Sequence, residues 1–85
     1  PDQARFTRRF TDLAVEFIAQ HQHEPFFLYL PHVMPHVPIF ASPDFKGRSS
    51  AGLYGDVVEE LDAGVGEVLA ALKRYDLEKD TLVIF

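Results

Sequence analysis

Two stretches of the chain place apolar residues at helical spacing. The first stripe consists of Leu13, Ala14, Phe17 and Ile18, and the second of Val57, Leu61, Val65, Val68, Leu69 and Leu72. Because Thr11 is a favourable N-cap and Pro25 forbids continuation, the first stretch predicts a helix over about 11–23. The second predicts a helix over 54–75, with acidic residues early and basic residues late, the order that suits a helix dipole.

Two apolar runs without helical spacing predict strands. Residues 26–30 include three aromatic side chains, and residues 81–85 are apolar after Thr81. Two strands joined by a helix form a right-handed parallel βαβ unit. We therefore expect an α/β fold in the order helix, strand, long loop, helix, strand, with residues 1–85 forming one segment.

The long loop over 31–53 carries the candidate chemistry. It contains four prolines and no sustained period, and loops of this length are often functional. In open α/β sheets, ligands bind beyond the carboxyl ends of strands, where this loop would lie. The prolines around His32 and His36 rule out a helix, and a zinc site there would lack a third ligand. A stiff loop could instead direct an imidazole toward an anion, the alternative being histidines that merely decorate it.

Other charged side chains favour simpler interpretations. Lys46 could contact an anionic substrate, although an exposed turn is the commoner outcome. The acidic residues of the second helix could suggest paired carboxylates for acid–base catalysis, but a solvated helix face is the expectation. These residues are Asp56, Glu59, Glu60 and Asp62.

Composition excludes several classes of protein. Eight Lys and Arg against thirteen Asp and Glu give a formal net charge of -5, which argues against nucleic-acid binding. Without cysteine there is neither a disulfide nor a thiolate zinc site. The apolar runs are far shorter than the ~20 residues that span a bilayer. Because the chain starts without methionine and stops inside an apolar run, we expect a segment of a larger protein.

Four pieces of the chain, in order, resemble the arylsulfatase family of the alkaline-phosphatase-like superfamily. They are Pro-Phe-Phe-Leu-Tyr-Leu at 25–30, Pro-His-Val-Pro at 35–38, the run from Gly52 to Asp62, and Thr-Leu-Val-Ile-Phe at 81–85. The resemblance implies an alkaline-phosphatase-like α/β fold and hydrolysis of sulfate esters. It also implies a formylglycine residue, a calcium or similar divalent ion, and a location outside the cytoplasm.

The resemblance assigns His36 as the histidine that contacts the sulfate group. His32 matches no catalytic position of the family, and it remains, with Lys46, a weaker substrate-binding candidate that the loop itself suggests. In the family, an Asp-Asn pair follows the strand that matches 81–85, and the Asp binds the metal. That pair, the Cys/Ser-x-Pro-Ser-Arg element, the amino-terminal aspartates and the sulfate-binding lysines are all missing from this sequence. We therefore expect no metal ligand and no cofactor within the chain, and no hydrolysis by the chain alone.

Two alternatives stay open at this stage. One is a phosphonate or phosphate diester hydrolase of the same superfamily, and the other is a non-enzymatic βαβ module that binds an anion. The resemblance leaves the particular sulfate ester undetermined. Since the strands over 26–30 and 81–85 would have open edges, we also expect the chain to self-associate.

Overall fold

Two long helices pack against each other in the computed structural model, which describes residues 2–85. Helix α1 spans Phe6–Gln20 and helix α2 spans Gly52–Arg74, with short 3-10 turns at Gln3–Arg5 and Glu78–Asp80. Helix α1 therefore begins earlier than the predicted residue 11. Neither helix of the described part is long and apolar enough to cross a membrane.

Thr11, predicted to cap the first helix, lies inside α1 and is only 1% exposed. The chain enters α1 through the 3-10 turn instead, where the Asp2 carboxylate accepts the Ala4 N–H at 3.2 Å. The sequence interpretation was wrong here because Phe6 and Phe10 extend the apolar face of the helix toward the amino terminus. A threonine hydroxyl suits both an N-cap and a buried helix face, so the residue type alone does not separate the two.

The prediction of an α/β fold with a parallel βαβ unit is wrong. No residue from 2 to 85 is in a strand, and the segments over 26–30 and 81–85 share no backbone hydrogen bond. A strand exists only through hydrogen bonds to a neighbouring strand, so apolar, β-branched composition does not create one by itself. The βαβ anion-binding module is excluded together with the sheet.

The segment over 26–30 nevertheless shows the alternation typical of a half-covered strand. Phe26 and Leu28 pack against the helices, whereas Phe27 and Tyr29 are 87% and 76% exposed. The sequence predicted burial on both faces, and only one face is covered. The other face, together with the segment over 81–85, leaves large apolar side chains in solvent.

The core consists of two small clusters on opposite parts of α2. Ile18, Ala71 and Leu72 form one cluster, at the carboxyl ends of both helices. Met34, Ala41 and Val57 form the other, which joins the long loop to the start of α2. A chain of this size buries little apolar surface, so each cluster is a large fraction of what stabilises the fold.

Helices α1 and α2 approach each other closely where Gly64 faces Thr11. A Cβ atom at Gly64 would lie 2.4 Å from the Thr11 hydroxyl oxygen, whereas a Cβ atom at Gly66 would meet nothing within 4 Å. Only Gly64 permits close packing, and its neighbour is a helix.

An ion pair between Arg8 and Glu67 lies on the exposed side of the contact between α1 and α2. The Arg8 guanidinium donates to both Glu67 carboxylate oxygens at 2.7 Å and also contacts Asp12. The hydrogen bond to Arg8 lowers the pKa of Glu67, and the same bond is the main cause of a raised pKa for Arg8. Because these groups are half-exposed, they orient the helices more than they stabilise them.

The glycine contact generates a matched test. Gly64→Ala is expected to lower the free energy of unfolding by about 1–3 kcal/mol, because the new methyl group overlaps the buried Thr11 side chain. Gly66→Ala should instead raise it by about 1 kcal/mol, the usual gain from replacing an exposed helical glycine. Urea unfolding followed by circular dichroism measures both.

Thr11→Ala provides the control. It removes the hydroxyl, which is buried without a hydrogen-bond partner, so it should cost little alone and should rescue Gly64→Ala in the double variant. Equal effects of the two glycine substitutions, or no rescue, would contradict the close contact.

Candidate functional site

His36 lies in a tight turn of the loop that joins α1 to α2. Its backbone N–H donates to the Val33 carbonyl at 3.0 Å, and the peptide bonds before Pro35 and Pro38 are both cis. The imidazole is exposed, and its Nδ1 lies 2.7 Å from the Val37 carbonyl oxygen. A carbonyl oxygen can only accept, so Nδ1 carries the proton and Nε2 is the nitrogen left for a ligand.

The side chain of His36 borders an open groove of about 460 Å³. One wall comes from the start of the chain and the other from the proline-rich part of the loop. The lining residues are Gln3, Phe6, His32, Val33, Met34, His36, Val37 and Pro38. The structure thus brings two of the three predicted substrate-binding residues, His32 and His36, to one groove.

His32 contributes to this groove differently from His36. Both of its ring nitrogens are buried without a hydrogen-bond partner, and its ring lies 6.2 Å from that of Phe10. Burial lowers the pKa of His32 below its ordinary value, because it disfavours the charged form of the ring. In this arrangement the ring packs against the aromatic face of α1 and presents no nitrogen to a ligand in the groove.

Lys46 lies apart from the two histidines. It is exposed and is not among the residues that line the groove, and its backbone N–H donates to the Ser42 carbonyl at 2.9 Å. The nearby Arg48 guanidinium lies over the Phe45 ring, 4.9 Å from its centre. The cationic part of the loop is therefore a separate surface from the histidine groove.

Two carboxylates that the sequence assigned to a solvated face are buried. Asp56 is 3% exposed and accepts the backbone N–H groups of Gly47 and Ser49, each at 2.8 Å. Glu60 is 5% exposed and accepts the Ser42 N–H at 2.9 Å. The two amide donors lower the pKa of Asp56, since they stabilise its charged form.

The sequence contains a pattern that could have indicated the burial of these two carboxylates. Asp56 and Glu60 are four residues apart, on one helix face, and each precedes a residue of the apolar stripe. Exposed Glu59 and Asp62 lie off that face. The loop amides that the carboxylates accept follow from no pattern in the sequence, because those contacts require the loop to fold back on the helix.

The sequence model of one family, described as Sulfatase, matches residues 2–85. The chain belongs to the sulfatase family.

Among its relatives, mouse steryl-sulfatase is 48% identical over 84 residues, which cover 99% of this chain and 14% of that protein. Human steryl-sulfatase is 43% identical over 93% of this chain and 14% of its own length. Mouse N-acetylgalactosamine-6-sulfatase is 41% identical over 98% of this chain and 16% of its own length. The chain thus spans about a seventh of the relatives it matches. No solved structure matches it significantly.

The residues of this sulfatase segment do not fit the metal and formylglycine that the family implies. No three His, Asp or Glu side chains from residues 2–85 gather into a group that could hold a metal ion. The sequence has no cysteine and no Ser-x-Pro-Ser-Arg element that could carry a formylglycine.

The half-buried imidazole of His32, whose ring nitrogens have no hydrogen-bond partner, should make stability depend on pH. Its folded-state pKa lies below the ordinary 6.5, so the unfolded chain takes up its proton first as the pH falls. Stability is full above about pH 6.5 and decreases below it. His32→Leu should abolish this part of the loss between about pH 7 and pH 5, as measured by urea unfolding.

His23→Leu is the matched control, because His23 is exposed and lies outside the groove. The carboxylates with lowered pKa values, Asp56 and Glu67, lose their charge only at lower pH and do not interfere. Identical pH profiles for the original chain and His32→Leu would show that the imidazole is not buried in the folded state.

Proposed function

We propose that this chain supplies His36, as a sulfate-contacting residue, to the active site of a sulfatase, and that it hydrolyses nothing by itself. The observation that carries the proposal is the hydrogen bond between His36 Nδ1 and the Val37 carbonyl. It holds the ring against its own backbone and reserves Nε2 for a ligand. Exposure of His36 at the edge of an open groove supports the same role.

The tautomer determines what His36 can do. When the ring is neutral, Nδ1 holds the only proton and Nε2 has a lone pair, which repels a sulfate oxygen. When the ring is protonated, Nε2–H donates a charge-assisted hydrogen bond to that oxygen. Such a donor stabilises the negative charge that shifts among the oxygens as a sulfate ester breaks down. His36 therefore acts on the sulfate group in its protonated form.

The substrate class follows from the family. Relatives are named for steryl sulfates and for N-acetylgalactosamine-6-sulfate. A sulfate ester is thus the proposed substrate of the larger protein, with the metal and the formylglycine supplied by other parts of a full-length sulfatase. One sulfate contact does not assemble a transition-state site, which is why the segment alone should be inactive.

His32 and Lys46 have secondary places in this proposal. His32 would need to turn out of its contact with Phe10 before a nitrogen could reach the groove. Lys46 would reach a substrate only if the substrate extended from the groove toward the cationic part of the loop. Of these three residues, His36 is the one that lines the groove and has a ring nitrogen free of other contacts.

An aryl sulfate ester tests both halves of the proposal. Titrated into the chain with calcium present, it should shift the His36 ring resonances in NMR spectra and release no sulfate. A single charge-assisted contact supports a dissociation constant on the order of 10 mM or weaker.

His36→Ala and His23→Ala are the paired variants for this titration. The first should abolish the response, and the second should leave it unchanged, because His23 lies outside the groove. Calcium-dependent release of sulfate would overturn the proposed inactivity. A response that survives His36→Ala would overturn the assigned contact.

We also propose that the chain self-associates through its exposed apolar segments. Leu82, Ile84 and Phe85 are 85%, 84% and 99% exposed, and Phe27 and Tyr29 add aromatic surface. Unpaired backbone beside exposed apolar side chains is a template for pairing with a second copy.

Sedimentation equilibrium at increasing concentration should therefore show dimers or larger species. Leu82→Lys should weaken association, because charge on an open apolar segment opposes edge pairing. Leu69→Lys, at a leucine of α2 that is 44% exposed, should change it little. A monomer at all concentrations would exclude association, and a larger effect of Leu69→Lys would place it on the helix face.

A further inference from the structure

Two buried carboxylates of α2 hold the loop that carries His36. We propose that Asp56 and Glu60 are positioning residues for His36, and that they act through backbone amides of the loop without touching the substrate. The inference rests on the proposed sulfate contact of His36. It concerns how that contact is held in place.

The two carboxylates accept hydrogen bonds from three backbone amides of the loop. Asp56 uses both oxygens, one for Gly47 N–H and one for Ser49 N–H, and Glu60 uses one oxygen for Ser42 N–H. Residues 42 to 49 are therefore fixed along one turn of α2. Hydrogen bonds to a charged acceptor are roughly twice as strong as neutral ones, so these contacts outweigh an ordinary turn.

An apolar cluster beside those amides connects the position of the held segment to His36. Val57, next to Asp56, is 1% exposed and packs with Met34 and Ala41 in one buried cluster. Ala41 directly precedes the amide held by Glu60, and Met34 is two residues before His36. Releasing the carboxylate contacts would let Ala41 leave Val57, and Met34 would lose part of its packing surface.

No cationic side chain among residues 2–85 compensates the charges of these two residues. Neither Asp56 nor Glu60 has a cationic partner within salt-bridge distance in the described part of the chain. Burying a carboxylate without a countercharge is unfavourable unless amide donors compensate for the lost water. The loop amides provide that compensation, so the carboxylates and the loop amides depend on each other.

Conservative amides separate positioning from folding. Glu60→Gln and Asp56→Asn keep the side-chain size but remove the charge, and the asparagine also replaces one acceptor oxygen with a donor group. Amide hydrogen exchange of the 85-residue chain should speed up at least about tenfold at Ser42 in the first variant and at Gly47 and Ser49 in the second. The ring nitrogen resonances that report the Nδ1–H form of His36 should change in both.

Glu59→Gln and Asp62→Asn are the matched controls, since each makes the same chemical change at an exposed position of the same helix. Neither should alter the loop amides or the His36 ring. The α-helical circular dichroism signal should stay unchanged in all four variants, because the contacts between α1 and α2 lie elsewhere. Glu60→Gln weakens a single hydrogen bond, because the glutamine oxygen accepts from Ser42 N–H without the charge, and so it remains informative if Asp56→Asn unfolds.

Three results would overturn the inference. They are an unchanged His36 ring despite faster loop exchange, loop exchange that does not change, and loss of helical signal in both variants. Loss of helical signal would mean that the two carboxylates are required for the stability of the whole fold and not only for the position of the loop. These measurements report on the His36 ring in the absence of any ester, so they test the positioning role independently of substrate binding. If the aryl sulfate fails to bind the original chain, that result counts against the proposed function and not against the positioning role.

Discussion

The close contact of α1 with α2 is the constraint on which the rest of this structure depends. With no strand among residues 2–85, the two helices have each other, the loop and the segment over 26–30 to cover their apolar faces. The missing side chain at Gly64 lets the buried Thr11 approach, and the Arg8–Glu67 pair fixes how the helices face each other. Since α2 also carries the loop, its placement against α1 determines where the histidine groove forms.

The loop combines local stiffness with distant anchoring. Prolines and the turn at His36 limit its own conformations, but they do not determine where it lies on the protein. That is decided by the Met34, Ala41 and Val57 cluster and by the amides that Asp56 and Glu60 accept. A site built on a loop reaches the precision of a helix when the helix supplies charged acceptors for the loop backbone.

The sequence was most informative where one residue type has one physical use. Proline excluded a helix around His36, and the apolar stripe located α2 to within two residues at its start. It misled where a residue type has two uses. Thr11 suited a cap as well as a buried face, and Asp56 and Glu60 suited solvent as well as buried amide donors. The residues 26–30 suited a strand, but pairing requires a neighbour that the described chain does not provide.

By itself, the sequence determined the family, the two helices and the identity of the candidate histidine, because these depend on local periodicity and short motifs. Only the tertiary structure decided which nitrogen of His36 is free, that His32 is buried against Phe10, and that two carboxylates hold the loop. The reason is physical. Burial and hydrogen-bond partners are properties of pairs of residues far apart in the chain, and local composition does not specify which distant groups will meet.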